Sequence, residues 1–164
     1  MKRLSVTLLV KKLYRICKEK GLSLSIAESC TGGMVGAAIT AIPGSSDYFK
    51  GGVVSYGNEV KHDVLGVSRL VLKNKGAVSA ETVRQMAAGV KRLCKTDCAI
   101  AVSGIAGPGG GTKQKPVGLV YIGIGLGKKV RGFRYLFKGG RQEIRRQAVY
   151  AALQRMIDEV KKSQ

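Results

Sequence analysis

The sequence is poor in the residues that build most metal sites. It contains one histidine, His62, and no tryptophan. Zinc sites that need two or three imidazoles, such as HExxH, therefore cannot form within one chain. The only close cysteine pair, Cys94 and Cys98, is spaced CxxxC, and no second pair completes a zinc ribbon. We expect free thiols in a reducing cytosol, with no bound metal and no other cofactor.

Long apolar runs and acidic residues are also scarce. The longest later apolar run, over 117–126, is too short to cross a bilayer, and residues 4–10 are too few for a secretory leader. We expect a cytoplasmic protein with no membrane partner. Ten acidic residues against 29 basic ones give a net charge of +19, which favours anionic partners. Aromatic residues make up only 5% of the chain, which is thin for stacking bases, so nucleic acid is not expected, although the charge permits it.

The length and the hydrophobic spacing predict the fold class. A chain of 164 residues that is 45% hydrophobic is typical of one domain, which we assign to residues 1–164. The spacing predicts, in chain order, a helix ending at Gly21, a strand over 22–28, a helix over 34–42, a strand over 48–56, a short helix from 57 or 58 to 65, a helix that Ser79 caps and that runs to 94, strands over 99–103, 117–125 and 130–137, and a final helix over 144–160. This alternation predicts an α/β fold, a single three-layer α/β/α domain with a mixed sheet.

The first candidate site is the turn Ala27-Glu28-Ser29-Cys30-Thr31-Gly32-Gly33. It places the Ser29 hydroxyl at the end of a strand, next to the unpaired amides of a helix start. Amides at Cys30, Thr31, Gly32 and Gly33 could hold an oxyanion or a phosphate. The turn is equally compatible with a polar cap followed by glycines that let the helix pack closely on the sheet.

A nucleophile at Ser29 needs a base. His62 is one candidate, but a lone histidine between Lys61 and Asp63 is typical of an ordinary surface residue. Lys61 is the other, if its amine is uncharged, which the positive field of the domain and a place near a helix start both favour. Tyr56 could then pass the proton or orient the amine. Two alternatives stay open, namely a solvated Lys61 and a Cys30 nucleophile beside a Ser29 that only caps the helix.

A second candidate site is the segment from Ser103 to Thr112, where glycines at 104, 107, 109, 110 and 111 follow a strand. Glycine lets a backbone approach an anion closely. The segment is neither GxGxxG nor GxxxxGK[ST], so it does not indicate a dinucleotide or triphosphate cradle. Arg141 and Arg145 are four residues apart at the start of the last helix, where a bound phosphate would offset the helix dipole. A solvated face explains these arginines equally well.

Six motifs, in this order, resemble the CinA C-terminal domain family, the nicotinamide-nucleotide amidases, in its stand-alone form. They are Ala27-Glu28-Ser29-Cys30-Thr31-Gly32-Gly33, Pro43-Gly44-Ser45-Ser46, Tyr56-Gly57-Asn58-Glu59-Val60-Lys61, Gly76-Ala77-Val78-Ser79, Ser103-Gly104-Ile105-Ala106-Gly107-Pro108 and Lys115-Pro116-Val117-Gly118. The resemblance runs from about residue 5 to residue 160. It implies hydrolysis of the carboxamide of nicotinamide mononucleotide to nicotinic acid mononucleotide and ammonia, in pyridine nucleotide salvage and without a metal.

The resemblance also implies roles for individual residues. Ser29 would be the nucleophile, Lys61 the general base and Tyr56 its helper, with the oxyanion held by the turn from Cys30 to Gly33. Substrate binding, including the ribose phosphate, would fall to Ser103, Gly104, Gly107, Gly109, Gly110, Gly111 and Arg145. We further expect a homo-oligomer. The alternative function is a non-catalytic basic module that binds nucleic acid or another phosphorylated ligand. The molybdopterin-binding-like domain of longer relatives is not in this sequence, so its functions are not transferred.

Overall fold

Five strands form one mixed sheet in the computed structural model, which describes residues 5–163. The strands are β1 (Leu24–Glu28), β2 (Phe49–Val54), β3 (Cys98–Gly104), β4 (Leu119–Leu126) and β5 (Lys129–Leu136). Their order across the sheet is β2-β1-β3-β4-β5. β1 pairs in parallel with both β2 and β3, whereas the β3–β4 and β4–β5 pairs are antiparallel. The predicted mixed sheet is therefore confirmed.

Helices cover both faces of this sheet. They are α1 (Val6–Lys20), α2 (Met34–Thr40), α3 (Asn58–Asp63), α4 (Arg69–Lys75), α5 (Ala80–Cys94) and α6 (Arg141–Lys162), and a 3-10 turn spans Ser45–Asp47. α1, α2 and α6 bury their apolar sides against one face, and α5 buries its stripe against the other. This confirms the three-layer α/β/α prediction. No helix within residues 5–163 is both long and apolar enough to cross a membrane.

Capping residues explain where α1 begins and ends and where α5 begins. The Ser5 side chain accepts a hydrogen bond from the Leu8 amide at the start of α1. Gly21 ends that helix in the left-handed conformation, with φ of 63°, as the sequence predicts. The Ser79 side chain accepts from the Thr82 amide at the start of α5, which confirms the predicted cap.

Two local features go beyond what the sequence predicts. All of β1 is buried, because it lies inside the sheet between β2 and β3 and helices cover both faces there. The buried Ser25 hydroxyl is satisfied by a 2.7 Å hydrogen bond with Thr96. The sequence did not predict α4, because its three apolar residues, Leu70, Val71 and Leu72, are consecutive and lack helical spacing; only Leu72 packs against the core cluster, and no residue of α4 is fully buried.

The parallel strands bring three separate segments to one edge of the sheet. β1, β2 and β3 run in the same direction, so their carboxyl ends lie side by side. The turn after β1, the Ser55–Tyr56 segment after β2 and the glycine-rich loop after β3 therefore meet there. In open α/β sheets this edge is where ligands bind.

Candidate active site

Ser29 and Lys61 meet at this edge. Ser29 directly follows β1, and Lys61 lies in α3. The Lys61 Nζ atom is 3.2 Å from the Ser29 Oγ atom, within hydrogen-bonding distance. Ser29 is 8% exposed and Lys61 only 1%, so both groups are held away from bulk water. The tertiary structure thus joins the hydroxyl and the amine that the sequence offered as nucleophile and base.

Two main-chain carbonyls hold the Lys61 amine. Its Nζ atom donates to the Ser55 carbonyl at 2.7 Å and to the Tyr56 carbonyl at 3.1 Å. Within residues 5–163 no carboxylate forms an ion pair with this amine. A neutral amine has two N–H bonds and one lone pair. In the ammonium form, a third N–H donates to the Ser29 oxygen. In the neutral form, the two carbonyls use both N–H bonds, and the lone pair can accept the Ser29 proton.

Burial favours the neutral form of this amine. Loss of hydration lowers the pKa of Lys61 from its usual 10.5 and outweighs the nearby Cys30 and Glu59, which act in the opposite direction. The sequence argument had used the positive field of the domain and the amide end of a helix. The second reason is wrong, because α3 has only six residues and Lys61 lies in its last turn, where the dipole favours a cation.

His62 lies away from the Ser29 hydroxyl. Its Nδ1 atom is 2.8 Å from the Val67 carbonyl, and its Nε2 atom is 3.9 Å from an Asp63 carboxylate oxygen. Neither contact involves Ser29. Of the two bases that the sequence offered, Lys61 is therefore the one in contact with Ser29.

Most amides in the turn from Ser29 to Gly36 already have an acceptor. The acceptors are the Val102 carbonyl for Ser29, the Ser29 carbonyl for Gly32, the Thr31 carbonyl for Met34, and the Glu28 carboxylate for Gly33, Val35 and Gly36. In the described part of the chain, the amides of Cys30 and Thr31 have none. The Thr31 hydroxyl is likewise buried without a partner there. Two adjacent free amides beside a hydroxyl are the arrangement of an oxyanion site.

This pattern reduces the set of amides in the turn that could hold an oxyanion. The Cys30 and Thr31 amides remain available, but those of Gly32 and Gly33 are engaged and cannot hold an oxyanion in this conformation. The two glycines have φ of 56° and 98°, in the left-handed region that other residues rarely adopt. Their role is to shape the turn.

Glu28 is a site residue whose role the sequence reading missed. Its carboxylate is 1% exposed and accepts hydrogen bonds from three amides at the start of α2, at 2.9–3.1 Å. A carboxylate at this position is stabilised by the unpaired amides and by the helix dipole. The available signal was an acidic residue at a strand end, a few residues ahead of a helix.

A cleft of about 290 Å³ lies beside the Ser29 hydroxyl. This volume is near the lower end of the roughly 300–1,000 Å³ of small-molecule sites. Its lining includes the predicted residues Ser29, Cys30, Tyr56, Lys61, Ser103, Gly104, Gly107, Gly109 and Gly110, together with Arg141. A larger cleft of about 560 Å³, at Leu22 and Ile124, lies at the opposite end of the sheet. It is separated from the hydroxyl by the length of β1.

Two predicted substrate-binding residues, Gly111 and Arg145, are not in the lining of the smaller cleft, whereas Ser103 is. Gly111 packs against the next strand, and an added Cβ there would lie 2.7 Å from the Val117 nitrogen. The Ser103 hydroxyl does line the cleft, where it donates to the Ala77 carbonyl at 2.8 Å and keeps lone pairs free to accept. Arg145 lies behind the turn: its Nε donates to the Cys30 carbonyl at 3.1 Å and its Nη2 to the Thr31 carbonyl at 3.0 Å. This placement differs from the expectation that Arg145 binds substrate.

Arg141 is the arginine that faces the cleft. Its Nη1 donates to the Gly107 carbonyl at 2.8 Å, and its Nη2 donates to the Tyr56 hydroxyl at 3.0 Å. Tyr56 thus has two separate contacts, since its carbonyl holds the Lys61 amine and its phenol accepts from Arg141. The sequence analysis offered two roles for Tyr56, to pass the proton or to orient the amine. Its carbonyl, and not its side chain, contacts the amine, so we favour the orienting role, and proton transfer by the phenol is the untested alternative.

The cysteines contribute little that is reactive. Burial raises the pKa of the Cys30 thiol to about 11, so it stays protonated near neutral pH and is a poor nucleophile. Cys17, Cys30, Cys94 and Cys98 are all free. Among residues 5–163, no group of three or more His, Cys, Asp or Glu residues is placed to hold a metal ion.

Comparison with known proteins identifies close relatives. The model of the CinA C-terminal domain family matches residues 6–160. The CinA-like protein of Endomicrobium trichonymphae is 55% identical over 139 residues, which are 85% of this chain and 32% of that protein. The CinA-like protein of Rippkaea orientalis is 46% identical over 141 residues, which are 84% of this chain and 34% of that protein. The chain thus spans about a third of the length of the curated relatives that it matches.

Solved structures match over nearly the whole chain. A CinA superfamily protein from Enterobacter cloacae has a TM-score of 0.94 and 35% identity, covering 98% of this chain and 95% of that one. A competence/damage inducible protein from Agrobacterium tumefaciens has a TM-score of 0.91 and 40% identity, covering 96% and 98%. The names of these proteins refer to competence and damage induction and state no chemical activity.

Proposed function

Because the chain belongs to the CinA C-terminal domain family, we propose that it is an amidohydrolase that uses Ser29 and Lys61 to hydrolyse the carboxamide of nicotinamide mononucleotide. The products are nicotinic acid mononucleotide and ammonia. The observation that carries the proposal is the 3.2 Å contact between the Lys61 amine and the Ser29 hydroxyl, with both N–H bonds of the neutral amine taken by carbonyls. The choice of substrate follows from the resemblance to nicotinamide-nucleotide amidases.

Acylation begins when the Ser29 oxygen attacks the amide carbon. The Lys61 lone pair takes the hydroxyl proton, and the carbonyl oxygen of the substrate becomes an oxyanion. The free amides of Cys30 and Thr31 donate to this oxygen. Loss of one such donor typically lowers the rate about 100- to 1000-fold.

Release of ammonia and hydrolysis complete the cycle. The Lys61 ammonium donates its proton to the departing nitrogen as the carbon–nitrogen bond breaks, which leaves an ester on Ser29. A water molecule then attacks the ester carbon, and Lys61 takes its proton. The proton returns to the Ser29 oxygen as the ester bond breaks and the acid leaves. One amine thus serves as base and acid in turn.

The cleft also offers a place for the substrate phosphate. Arg141 faces it, and its guanidinium has N–H donors beyond the two that Gly107 and Tyr56 use. The glycine-rich loop lines the same cleft, and space within 4 Å of an added Gly109 Cβ is empty. An arginine beside a backbone without side chains suits a phosphate oxygen. We assign phosphate binding to Arg141 and this loop.

Ammonia release from nicotinamide mononucleotide by the purified, chelator-treated protein tests the proposal. We expect Ser29→Ala and Lys61→Ala each to lose activity at least about 1000-fold while remaining folded by circular dichroism. His62→Gln is the matched control, since His62 is the neighbour of Lys61 without a contact to Ser29, and it should retain activity. Substantial ammonia release by either of the first two variants would refute the assigned roles.

The net charge of +19 supports one second candidate, a basic module that binds nucleic acid through its phosphates. Filter binding to single- and double-stranded nucleic acid at several salt concentrations separates the two functions. Tight binding with a steep salt dependence, together with no ammonia release, would favour the binding module.

A further inference from the structure

We propose that Arg145 is a positioning residue for the oxyanion site, which orients and polarises the Thr31 amide from its carbonyl side. This inference rests on the proposed function of the same turn. The Arg145 guanidinium does not line the cleft beside Ser29. It acts through the main chain, by the two hydrogen bonds that it donates to consecutive carbonyls.

The geometry of the peptide unit explains how Arg145 orients the Thr31 N–H. In a planar trans peptide the C=O and the N–H point in opposite directions. The Cys30 carbonyl and the Thr31 N–H belong to one such unit. Arg145 Nε holds that carbonyl at 3.1 Å, so the Thr31 N–H is directed the opposite way, where it has no acceptor within the described residues.

The second hydrogen bond of Arg145 helps to orient the other free amide, that of Cys30. Arg145 Nη2 holds the Thr31 carbonyl at 3.0 Å. The N–H of that peptide unit is that of Gly32, which donates to the Ser29 carbonyl at 3.0 Å. The Ser29 carbonyl in turn shares a peptide unit with the Cys30 N–H. Arg145 thus fixes the Thr31 amide directly and the Cys30 amide through one intervening hydrogen bond.

The positive charge of Arg145 has a second effect on the Thr31 amide, in addition to orienting it. The guanidinium of an arginine is a cation. That of Arg145 is half-buried, so its field is only partly screened by water. A cation that donates to a carbonyl polarises the peptide and makes its N–H a stronger donor. The Thr31 N–H should therefore hold a developing negative charge better than an ordinary amide.

Lysine could not replace this arginine. Arg145 spans two consecutive carbonyls with a rigid planar group, and its Nη1 contacts the Gln142 side chain at 3.3 Å. An ammonium is a point charge on a flexible stem and offers no fixed pair of parallel donors. Arg145→Lys keeps the charge and removes the geometry, so it tests whether the charge alone is sufficient.

Steady-state kinetics of Arg145→Lys and Arg145→Ala test the inference. We expect kcat for nicotinamide mononucleotide to fall about 100-fold while KM changes less than about 3-fold, because the amides act on the transition state. Methylguanidinium should restore part of the kcat of Arg145→Ala. Arg146→Ala is the matched control, since Arg146 is exposed and has no polar contact within residues 5–163. An unchanged kcat, or a raised KM alone, would overturn the positioning role and favour substrate binding by Arg145.

A second substrate separates this inference from the choice of natural substrate. In the acylation of Ser29 by p-nitrophenyl acetate, Lys61 takes the hydroxyl proton, the acetyl ester of Ser29 forms, the ester bond of the reagent breaks and p-nitrophenolate leaves. It uses the same oxyanion site. If the wild type releases no ammonia but shows a burst that Ser29→Ala lacks, the proposed substrate fails, and the burst rate of Arg145→Lys still tests the inference. A burst of wild-type rate in a folded Arg145→Lys protein, or no burst and no ammonia from the wild type, would overturn it.

Discussion

The amine nitrogen of Lys61 lies 3.2 Å from the hydroxyl oxygen of Ser29, and the Ser55 and Tyr56 carbonyls hold it there. The two residues are 32 positions apart and belong to different elements. Burial lowers the pKa of this amine toward the range in which a general base is useful. A histidine has a pKa near that range without burial. The Ser55 and Tyr56 carbonyls, which directly follow β2, orient the amine.

The pH dependence of kcat/KM follows from this pair. The protonated amine cannot accept the Ser29 proton, so activity should rise with pH through the pKa of Lys61 and level off above it. Because burial lowers that pKa, the midpoint should lie below 10.5. Rates measured from about pH 5 to pH 10, together with the fraction folded at each pH, check this prediction. His62→Gln should show the same rising limb. A flat profile, or one that falls with pH, would contradict the role of Lys61 as base.

Tyr56→Phe separates the two contacts of Tyr56. The variant keeps the carbonyl that holds Lys61 but removes the phenol oxygen that accepts from Arg141. We expect kcat to stay within about 3-fold and KM to rise about 3- to 10-fold, since the loss of one hydrogen bond loosens the proposed phosphate-binding arginine. Steady-state kinetics with nicotinamide mononucleotide measure both values. A fall in kcat of about 100-fold with little change in KM would instead support proton transfer through the phenol.

Glu28→Gln should destabilise the fold. The carboxylate is buried and accepts from the amides of Gly33, Val35 and Gly36. A carboxamide has one oxygen acceptor and brings two N–H donors into a site made of donors. We expect the free energy of unfolding in urea to fall by about 1–3 kcal/mol. Glu19→Gln, at an exposed position of α1, should change it by less than about 0.5 kcal/mol. Equal values for the two variants would contradict the capping role of Glu28.

Gly109→Asp and Gly109→Asn test the loop as part of the phosphate site. An added Cβ at Gly109 meets no atom within 4 Å, so neither side chain should disturb the fold. The two side chains have nearly the same shape and differ in charge. We expect Asp to raise KM about 10-fold relative to Asn at low salt, with a smaller ratio at high salt, because salt screens the repulsion of the phosphate. Equal KM values for the two variants would place the phosphate away from Gly109.

Local sequence patterns predicted much of this molecule. The Gly21 end of α1, the Ser79 cap of α5 and the strand followed by a Ser29 turn depend on neighbouring residues, so they could be read directly. The pairing of Ser29 with Lys61 came from the family resemblance, because reasoning from the residues left the choice between Lys61 and His62 open. The role of Glu28 and the place of Arg145 were not predicted.

These missed features depend on contacts between distant segments. Spacing along a helix places Arg141 and Arg145 on the same face of α6 but cannot say what each one meets. The fold places Arg141 beside Tyr56 and Gly107, and Arg145 behind the Cys30 and Thr31 carbonyls.

The sequence by itself determined the order of the strands and of every long helix, the layered α/β class and the chemical groups available for catalysis, because these follow from local periodicity and residue type. The tertiary structure alone decided which amides of the turn are free, which arginine faces the cleft, and that the Lys61 amine is buried among carbonyls. Proton affinity and hydrogen-bonding capacity depend on desolvation and on partners, and both are set only when the carboxyl ends of β1, β2 and β3 come together.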